Sequence, residues 1–248
     1  MKIVACYSNK GGVGKTATSV NLAHGLARQG KRVLLCDLDP QGASSFYFRV
    51  KPSRKLTEGR FFTDVKRFTG AIRGSDFDNL DILPANMTFR DFDVFLSRMK
   101  NSRSRLKKAL AGVGSDYDII LLDCPPNIST LSENVFKCAD AILVPVIPTT
   151  LSERTFEQLL GFFAERGLPK KKILGFFSMV QGTKKLHGET MAGLRKAHPK
   201  RLLDIAVPFA SEIEKMGVHR APVADFAPAG SAAVRAYGAL CDALSKRL

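Results

Sequence analysis

No apolar run in the 248-residue sequence approaches the roughly 18 residues that a membrane-spanning helix needs. No secretory leader is expected either. Met1-Lys2 runs straight into Ile3-Val4-Ala5-Cys6-Tyr7, a short apolar stretch that breaks at Ser8-Asn9. The chain starts on what reads as its first core strand, so no N-terminal domain is expected ahead of it. There are no internal repeats and no low-complexity tracts, which excludes solenoid and compositionally biased classes. Cysteine is sparse: Cys6, Cys36, Cys124, Cys138 and Cys241 are odd in number, and no pair has the C-x-x-C spacing. Three lie in or beside apolar runs, where a thiol behaves as a small hydrophobe. Buried free thiols in a reducing cytoplasm are the simplest reading, and an iron–sulfur or zinc site has little support. Acidic residues are short as well. Against 38 Lys and Arg there are 23 Asp and Glu, a net charge of +15. That balance points to a polyanionic partner, nucleic acid or an acidic membrane surface, rather than to a generally basic soluble protein.

What is present is ordinary for a globular chain: 45% hydrophobic and 25% charged residues, and enough length for one large α/β domain or two small ones. Short apolar runs alternate with helical patterns. Strands are expected over Ile3–Tyr7, Arg32–Cys36, Leu80–Leu83, Tyr117–Leu122, Ala141–Ile147, Lys172–Val180 and Ile205–Val207. Helices are expected over Thr16–Arg28, Phe89–Ala111, Ser152 to about Glu165, and Ser231–Leu244. Residues 49–78 read as a surface excursion with a short helix. Strands apolar on both faces that alternate with helices specify an α/β fold, a mostly parallel twisted sheet flanked by helices on both faces. The whole of 1–248 is read as a single domain. Ligands in such sheets bind beyond the carboxyl ends of the strands. Three loops, 8–16, 37–41 and 123–127, leave strand ends and converge there.

The first loop reads Asn9-Lys10-Gly11-Gly12-Val13-Gly14-Lys15-Thr16. Its glycines allow backbone conformations and approaches that a Cβ would block. Amides from Gly12 through Thr16 can then cradle phosphate oxygens, with a helix N-terminus behind them. Lys15 would span the β- and γ-phosphates, and the Thr16 hydroxyl would bind Mg²⁺. Asn9 stands where the ordinary P-loop has Gly, and Lys10 is an additional cation. The second loop, Asp37-Leu38-Asp39-Pro40-Gln41-Gly42, offers two carboxylates. One could hold Mg²⁺ or its water shell, and the other could orient the attacking water. The third follows Ile119-Ile120-Leu121-Leu122-Asp123, four apolar residues ending in a carboxylate suited to Mg²⁺.

Together with Asp123-Cys124-Pro125-Pro126, Leu83-Pro84-Ala85, and a tail containing Val207-Pro208, Gly217 and Ala221-Pro222-Val223, these motifs resemble the ParA/MinD family of deviant Walker A ATPases over nearly the whole chain. The resemblance is strongest to the short, Soj-like ParA branch. It implies ATP and Mg²⁺ as cofactors and a homodimer with ATP sandwiched between protomers. It assigns ATP binding to Lys10, Gly11, Gly12, Val13, Gly14, Lys15, Thr16, Ala17 and Pro208. Thr16, Asp39 and Asp123 fall at the metal. Lys10 matches the signature lysine that reaches the partner's nucleotide, and Asp39 the carboxylate associated with hydrolysis; these two are the catalytic candidates. Two departures stand out. Ala17 replaces a usual second Thr, and Phe209 follows Pro208 where many DNA-binding relatives have Arg.

The family resemblance implies a cytoplasmic, nucleoid-associated ATPase. It would bind double-stranded DNA non-specifically as the ATP dimer, and a ParB-like or adaptor protein would stimulate its slow hydrolysis. Its cargo would be a plasmid, a chromosome region or a protein assembly. Basic clusters occur at Lys51, Arg54 and Lys55; Arg98–Lys108; Lys170–Lys172; Lys184–Lys185; and Arg195–Arg201. By analogy the later ones, Lys184, Lys185, Arg195 and Lys196, are favoured for DNA. A MinD-like membrane regulator is the main alternative. It would need an amphipathic anchor, and Ser245-Lys246-Arg247-Leu248 closes the sequence at the end of a helix whose apolar positions are needed by the core. No membrane contact is therefore expected. An iron-protein-type reductase and a metabolic ATP-dependent enzyme complete the alternatives.

Overall fold

Eight strands join into one sheet in the computed structural model, which describes residues 1–248. They are β1 (Lys2–Cys6), β2 (Val33–Asp37), β3 (Arg73–Gly74), β4 (Leu80–Leu83), β5 (Ile119–Asp123), β6 (Ala141–Val146), β7 (Ile173–Val180) and β8 (Leu202–Pro208). Their spatial order is β3-β4-β2-β5-β1-β6-β7-β8. Every neighbouring pair is parallel except the short β3–β4 pair at one edge. Strands β2, β5 and β6 are buried at every position, as a sheet covered on both faces requires.

Side chains alternate between two cores. Ile3 and Ala5 of β1, with Ile120 and Leu122 of β5, face one; Val4, Ile119 and Leu121 face the other. The second core is covered by α1 (Lys15–Arg28), the segment around α2 (Ala43–Tyr47), and three later helices named below. The first core takes α3 (Glu58–Thr63), α4 (Val65–Thr69), α5 (Phe92–Ser97), α6 (Arg105–Ala111), α7 (Thr130–Cys138), α8 (Thr150–Glu165) and α9 (Lys185–Ala197). The helices α10 (Ser211–His219), α11 (Val223–Phe226) and α12 (Ala232–Ser245) then return to the α1 face. Tyr237, Leu240 and Leu244 of α12 are committed to that core.

Several expectations shift. The helix expected over Phe89–Ala111 is broken into a 3₁₀ turn, α5, a second 3₁₀ turn at Ser102–Ser104, and α6. Asn101 takes a left-handed backbone (φ 55) between them, a conformation Asn tolerates and a continuous helix does not. The 49–78 excursion is not confined to the surface. Phe61 and Phe68 are buried, and Phe61 packs edge-on to Phe92 and Phe89 with ring centroids 4.9 and 5.4 Å apart. The amphipathic pattern was hidden because α3 and α4 are each barely one and a half turns long. Strands β2 and β5 each start and end later than expected. Arg32 and Asp118 pair at their entry, at 2.9 Å, and the shift places Asp37 and Asp123 on the strand ends as register neighbours. Helices α7, α9 and α10 carry no strong signal in the sequence.

Candidate functional site

Strand β1 lies between β5 and β6, while the chain leaving it crosses to β2 on the far side of β5. The loop after β1 therefore opens at a point where the winding changes direction, the usual place for a ligand crevice in a doubly wound sheet. Gly12 and Gly14 adopt left-handed conformations (φ 69 and 89). A Cβ on Gly14 would stand 3.0 Å from the Ser178 hydroxyl, which itself donates to the Val13 carbonyl at 2.9 Å. Gly14 is the N-cap of α1, and no side chain caps that terminus or places an acid in its first turn. A 14-residue helix thus presents bare amides and an uncompensated positive dipole end. Gly11 and Gly12 are exposed and have open space where side chains would be. This is a cradle that phosphate fits.

Lys15 is buried, and its ammonium donates to the Lys10 carbonyl at 3.2 Å, holding it within the loop. The Lys10 ammonium takes a different course. It donates to the Ser152 hydroxyl on α8 at 3.2 Å, and Ser152 also accepts from Thr149. Val13 is buried, whereas Ala17 is half-buried on the first turn of α1. Ala17 and Gly14 line one small hollow with Pro208, Phe209 and Tyr237, so the fold brings Pro208 beside the loop although it is nearly 200 positions away. Phe209 is half exposed at the rim.

The carboxylates divide sharply by environment. Asp37 and Asp123 are buried side by side on β2 and β5. Asp123 accepts from the hydroxyls of Ser44 and Ser19, the latter at 3.1 Å, and the nearby Thr16 hydroxyl helps to offset the effect of burial on it. Asp37 accepts from the backbone N–H and hydroxyl of Ser45 at 2.9 and 2.7 Å through one oxygen, while its other oxygen has no partner. Burial, then the neighbouring Asp123, pushes Asp37 up to about 8; burial also raises Asp123. Two buried carboxylates, one with an orphaned oxygen, next to a hydroxyl and an anion cradle fit a divalent cation that would relieve their repulsion. No group of three or more His, Cys, Asp or Glu side chains is arranged as a metal site. The remaining ligands would have to be water and phosphate oxygens, which is the habit of Mg²⁺.

Asp39 is half-buried on the loop beyond β2. Its carboxylate accepts the Gln41 N–H at 3.0 Å, and its carbonyl accepts the Gly42 N–H at 2.9 Å. The structure thus gathers Lys10, Lys15, Thr16, Asp39 and Asp123 at one end of the sheet. Sequence reasoning overlooked Ser19, Ser44 and Ser45. Ser19 sits one helical turn after Lys15, and the serine pair follows the Asp37–Gly42 motif after a single Ala43, so spacing could have found them. Ser152 and Ser178 give no such signal. Lys184, Lys185 and Lys196 are exposed on or beside α9, with Lys185 paired to Glu189 at 3.5 Å. Arg195 is committed elsewhere: it pairs with Asp204 at 2.6 Å and lies over the Phe177 ring. All five cysteines are buried and free.

A family model described as an AAA domain matches residues 1–172. The chain belongs to the ParA/MinD family of P-loop ATPases. It is 39% identical over 146 residues to the sporulation initiation inhibitor protein Soj of Bacillus subtilis, a match covering 58% of each chain. It is 29% identical over 211 residues to the chromosome partitioning protein ParA of Myxococcus xanthus, covering 83% of this chain and 75% of that one. Among solved structures, a plasmid partition protein of Borrelia burgdorferi superposes with a TM-score of 0.76 at 21% identity, covering 100% of this chain and 99% of the other. That likeness establishes the ParA/MinD-type fold. The family is one of partition and positioning ATPases.

Proposed function

We propose that residues 1–248 act as one slow ATP hydrolase that dimerises around two ATP molecules with Mg²⁺, binds double-stranded DNA non-specifically in that state, and is released when a ParB-like or adaptor partner stimulates hydrolysis. The position of Lys10 carries the reading. Lys15 already fills its own loop, whereas the Lys10 ammonium is held outside that loop on Ser152. A second cation poised at the rim suits the γ-phosphate of a facing protomer, where it would neutralise transition-state charge in trans. Exposed Ile128 and Leu151 flank the same end, and the Tyr7 hydroxyl ties the Ile128 loop to β1 by donating to the Asn127 carbonyl at 3.0 Å. Such apolar exposure beside a loop suits a self-complementary interface.

Gly11, Gly12, Val13, Gly14, Lys15, Thr16 and Ala17 would hold the phosphates, and Pro208 would border the nucleotide beside Gly14. Bound Mg²⁺ supplies charge neutralisation and orients phosphate oxygens. Thr16 and Asp123 would hold it, and Asp39, on the loop beyond β2, would share its water shell. Asp37 is pinned by Ser45 in the interior, so Asp39 is the carboxylate free to orient a water. DNA contact is assigned to exposed Lys184, Lys185 and Lys196. Arg195, held by Asp204, would first have to leave that pair. No helix is long and apolar enough to cross a membrane, and the apolar positions of α12 are spent on the core. Cytoplasmic, nucleoid-associated action without a membrane is proposed together with the DNA-binding role, by likeness to the ParA relatives.

The test is a titration of duplex DNA with ATP against ADP, alongside size measurement, for the native chain and Asp39→Ala. ATP should produce a dimer with salt-sensitive DNA binding, and Asp39→Ala should hold ATP and remain dimeric. Equal DNA binding with ATP and ADP, or fast turnover in Asp39→Ala, would overturn the cycle.

A further inference from the structure

The tertiary structure gathers basic segments that are far apart in the chain. Arg98, Lys100, Arg103, Arg105, Lys107 and Lys108 occur within 98–108 with no acidic residue among them. The break at Asn101 turns this segment across the end of α7, opening a hollow of about 530 Å³. Its walls carry Arg103, Lys107 and Lys137 with Asn101, Ser102 and Ser104. The Lys170–Lys172 turn adjoins it: the Lys172 ammonium donates to the Phe136 and Lys137 carbonyls at 3.4 and 3.2 Å.

Little in the structure neutralises this charge. Glu133 is shared between Arg103 at 3.1 Å and Arg166 at 3.8 Å, and Asp140 accepts the Ile3 N–H at 2.8 Å. Lys107 and Lys137 are exposed, and neither is in an ion pair. Lys172 feels the surplus, its pKa lowered by burial and, further, by Lys107 and Lys171, although Asp140 and Cys138 oppose this. The α9 cluster is weaker by comparison, since Arg195 and Lys185 already have carboxylate partners.

We propose that this hollow binds the sugar-phosphate backbone of duplex DNA. The inference rests on the reading that the ATP-bound dimer binds DNA, and it adds the 98–108 segment and α7 to the α9 contacts as a second, stronger DNA surface. Lysine and arginine with serine and asparagine hydroxyl and amide donors are the side chains that track phosphates without reading bases. Placement supports it too. Helix α7 ends just before β6, and the Lys170–Lys172 turn leads into β7, so the hollow lies at the amino ends of parallel strands. The nucleotide loop leaves the carboxyl end of β1. A dimer closed across the loops therefore leaves both hollows open at its two far ends, where they can hold two separate segments of one long duplex.

The experiment titrates duplex DNA with the full chain, ATP and Mg²⁺ over a KCl series. It compares the native protein with Lys107→Gln/Lys137→Gln, Lys107→Arg/Lys137→Arg and Lys184→Gln/Lys185→Gln. Each phosphate that is no longer neutralised flattens the log–log salt dependence by about 0.9, so the first double variant should be shallower by ~1.8 per chain engaged, and weaker. The arginine pair should behave as the native protein, and the Lys184/Lys185 variant should lose less affinity. ATP turnover without DNA should be unchanged in all, which excludes misfolding. If the native chain binds with ATP and the Lys107/Lys137 glutamine variant keeps its slope and affinity, the hollow is not the site. If the native chain shows no ATP-dependent DNA binding, the functional reading itself fails, and this inference with it.

Discussion

Ser45→Ala probes the joint between the fold and the nucleotide site. The Ser45 hydroxyl donates to Asp37 Oδ2 at 2.7 Å and accepts the Ala85 N–H at 3.0 Å. All three residues are buried, and Asp37 has no exposed surface. Alanine would leave Asp37 with the Ser45 N–H as its one donor and would orphan the Ala85 amide at the end of β4. With its carboxyl raised to about 8, Asp37 is largely neutral at pH 7, so the lost hydrogen bond contributes about 0.5–1.5 kcal/mol, and a stranded buried donor costs about 1–3 kcal/mol. The sum is ~1.5–4.5 kcal/mol. A loss near 3 kcal/mol should lower the melting temperature by about 6–12 °C in a chain of this size. Urea denaturation at pH 7 without nucleotide measures it, with Ser115→Ala, at an exposed hydroxyl, as the comparison that should shift by no more than about 0.5 kcal/mol. A Ser45→Ala effect below about 1 kcal/mol would mean that these two hydrogen bonds do not hold the Asp37 loop, and the pinned role given to Asp37 would be withdrawn.

Other expectations are simpler. Lys15→Ala removes the ammonium buried in the loop; the absence of two charged hydrogen bonds of about 1.5–3 kcal/mol each should cost at least ~100-fold in nucleotide affinity. A fluorescent ATP analogue reads this, and unchanged affinity would remove the cradle assignment. His24, buried on α1 with its ring 4.7 Å from Phe77, has its pKa held below the usual 6.5 by burial and by Arg28, with Asp225 opposing. Below pH 6.5 the unfolded chain takes up a proton that the folded state resists, so stability falls as pH drops from 6.5 through the folded value. Urea midpoints at pH 7.5 and 5.5 should fall more for the native chain than for His24→Gln; equal falls would discount the histidine.

Much of the site was legible in the sequence because phosphate chemistry is local. Lys10 through Thr16 occupy one turn between a strand and a helix, and Asp37 through Gly42 and Asp123 end their own strands. Legibility failed where packing decided the outcome. Phe61 and Phe68 read as surface residues, since helices of five or six residues show too little periodicity to reveal a buried face. The expected 89–111 helix broke at Asn101, whose left-handed turn no helical pattern announces.

Contiguous residues determined that this chain cradles a phosphate and that its strands lie parallel under two layers of helix, because both follow from spacing along the backbone. Only the tertiary structure decided the rest. Register placed Asp37 against Asp123, and a neighbouring helix received the Lys10 ammonium on Ser152. An ion pair with Asp204 occupied Arg195, while Lys107, Lys137 and the Lys170–Lys172 turn came together around one hollow. Charge and burial act through space, and distances between residues remote in the chain are set by how the sheet is ordered and covered.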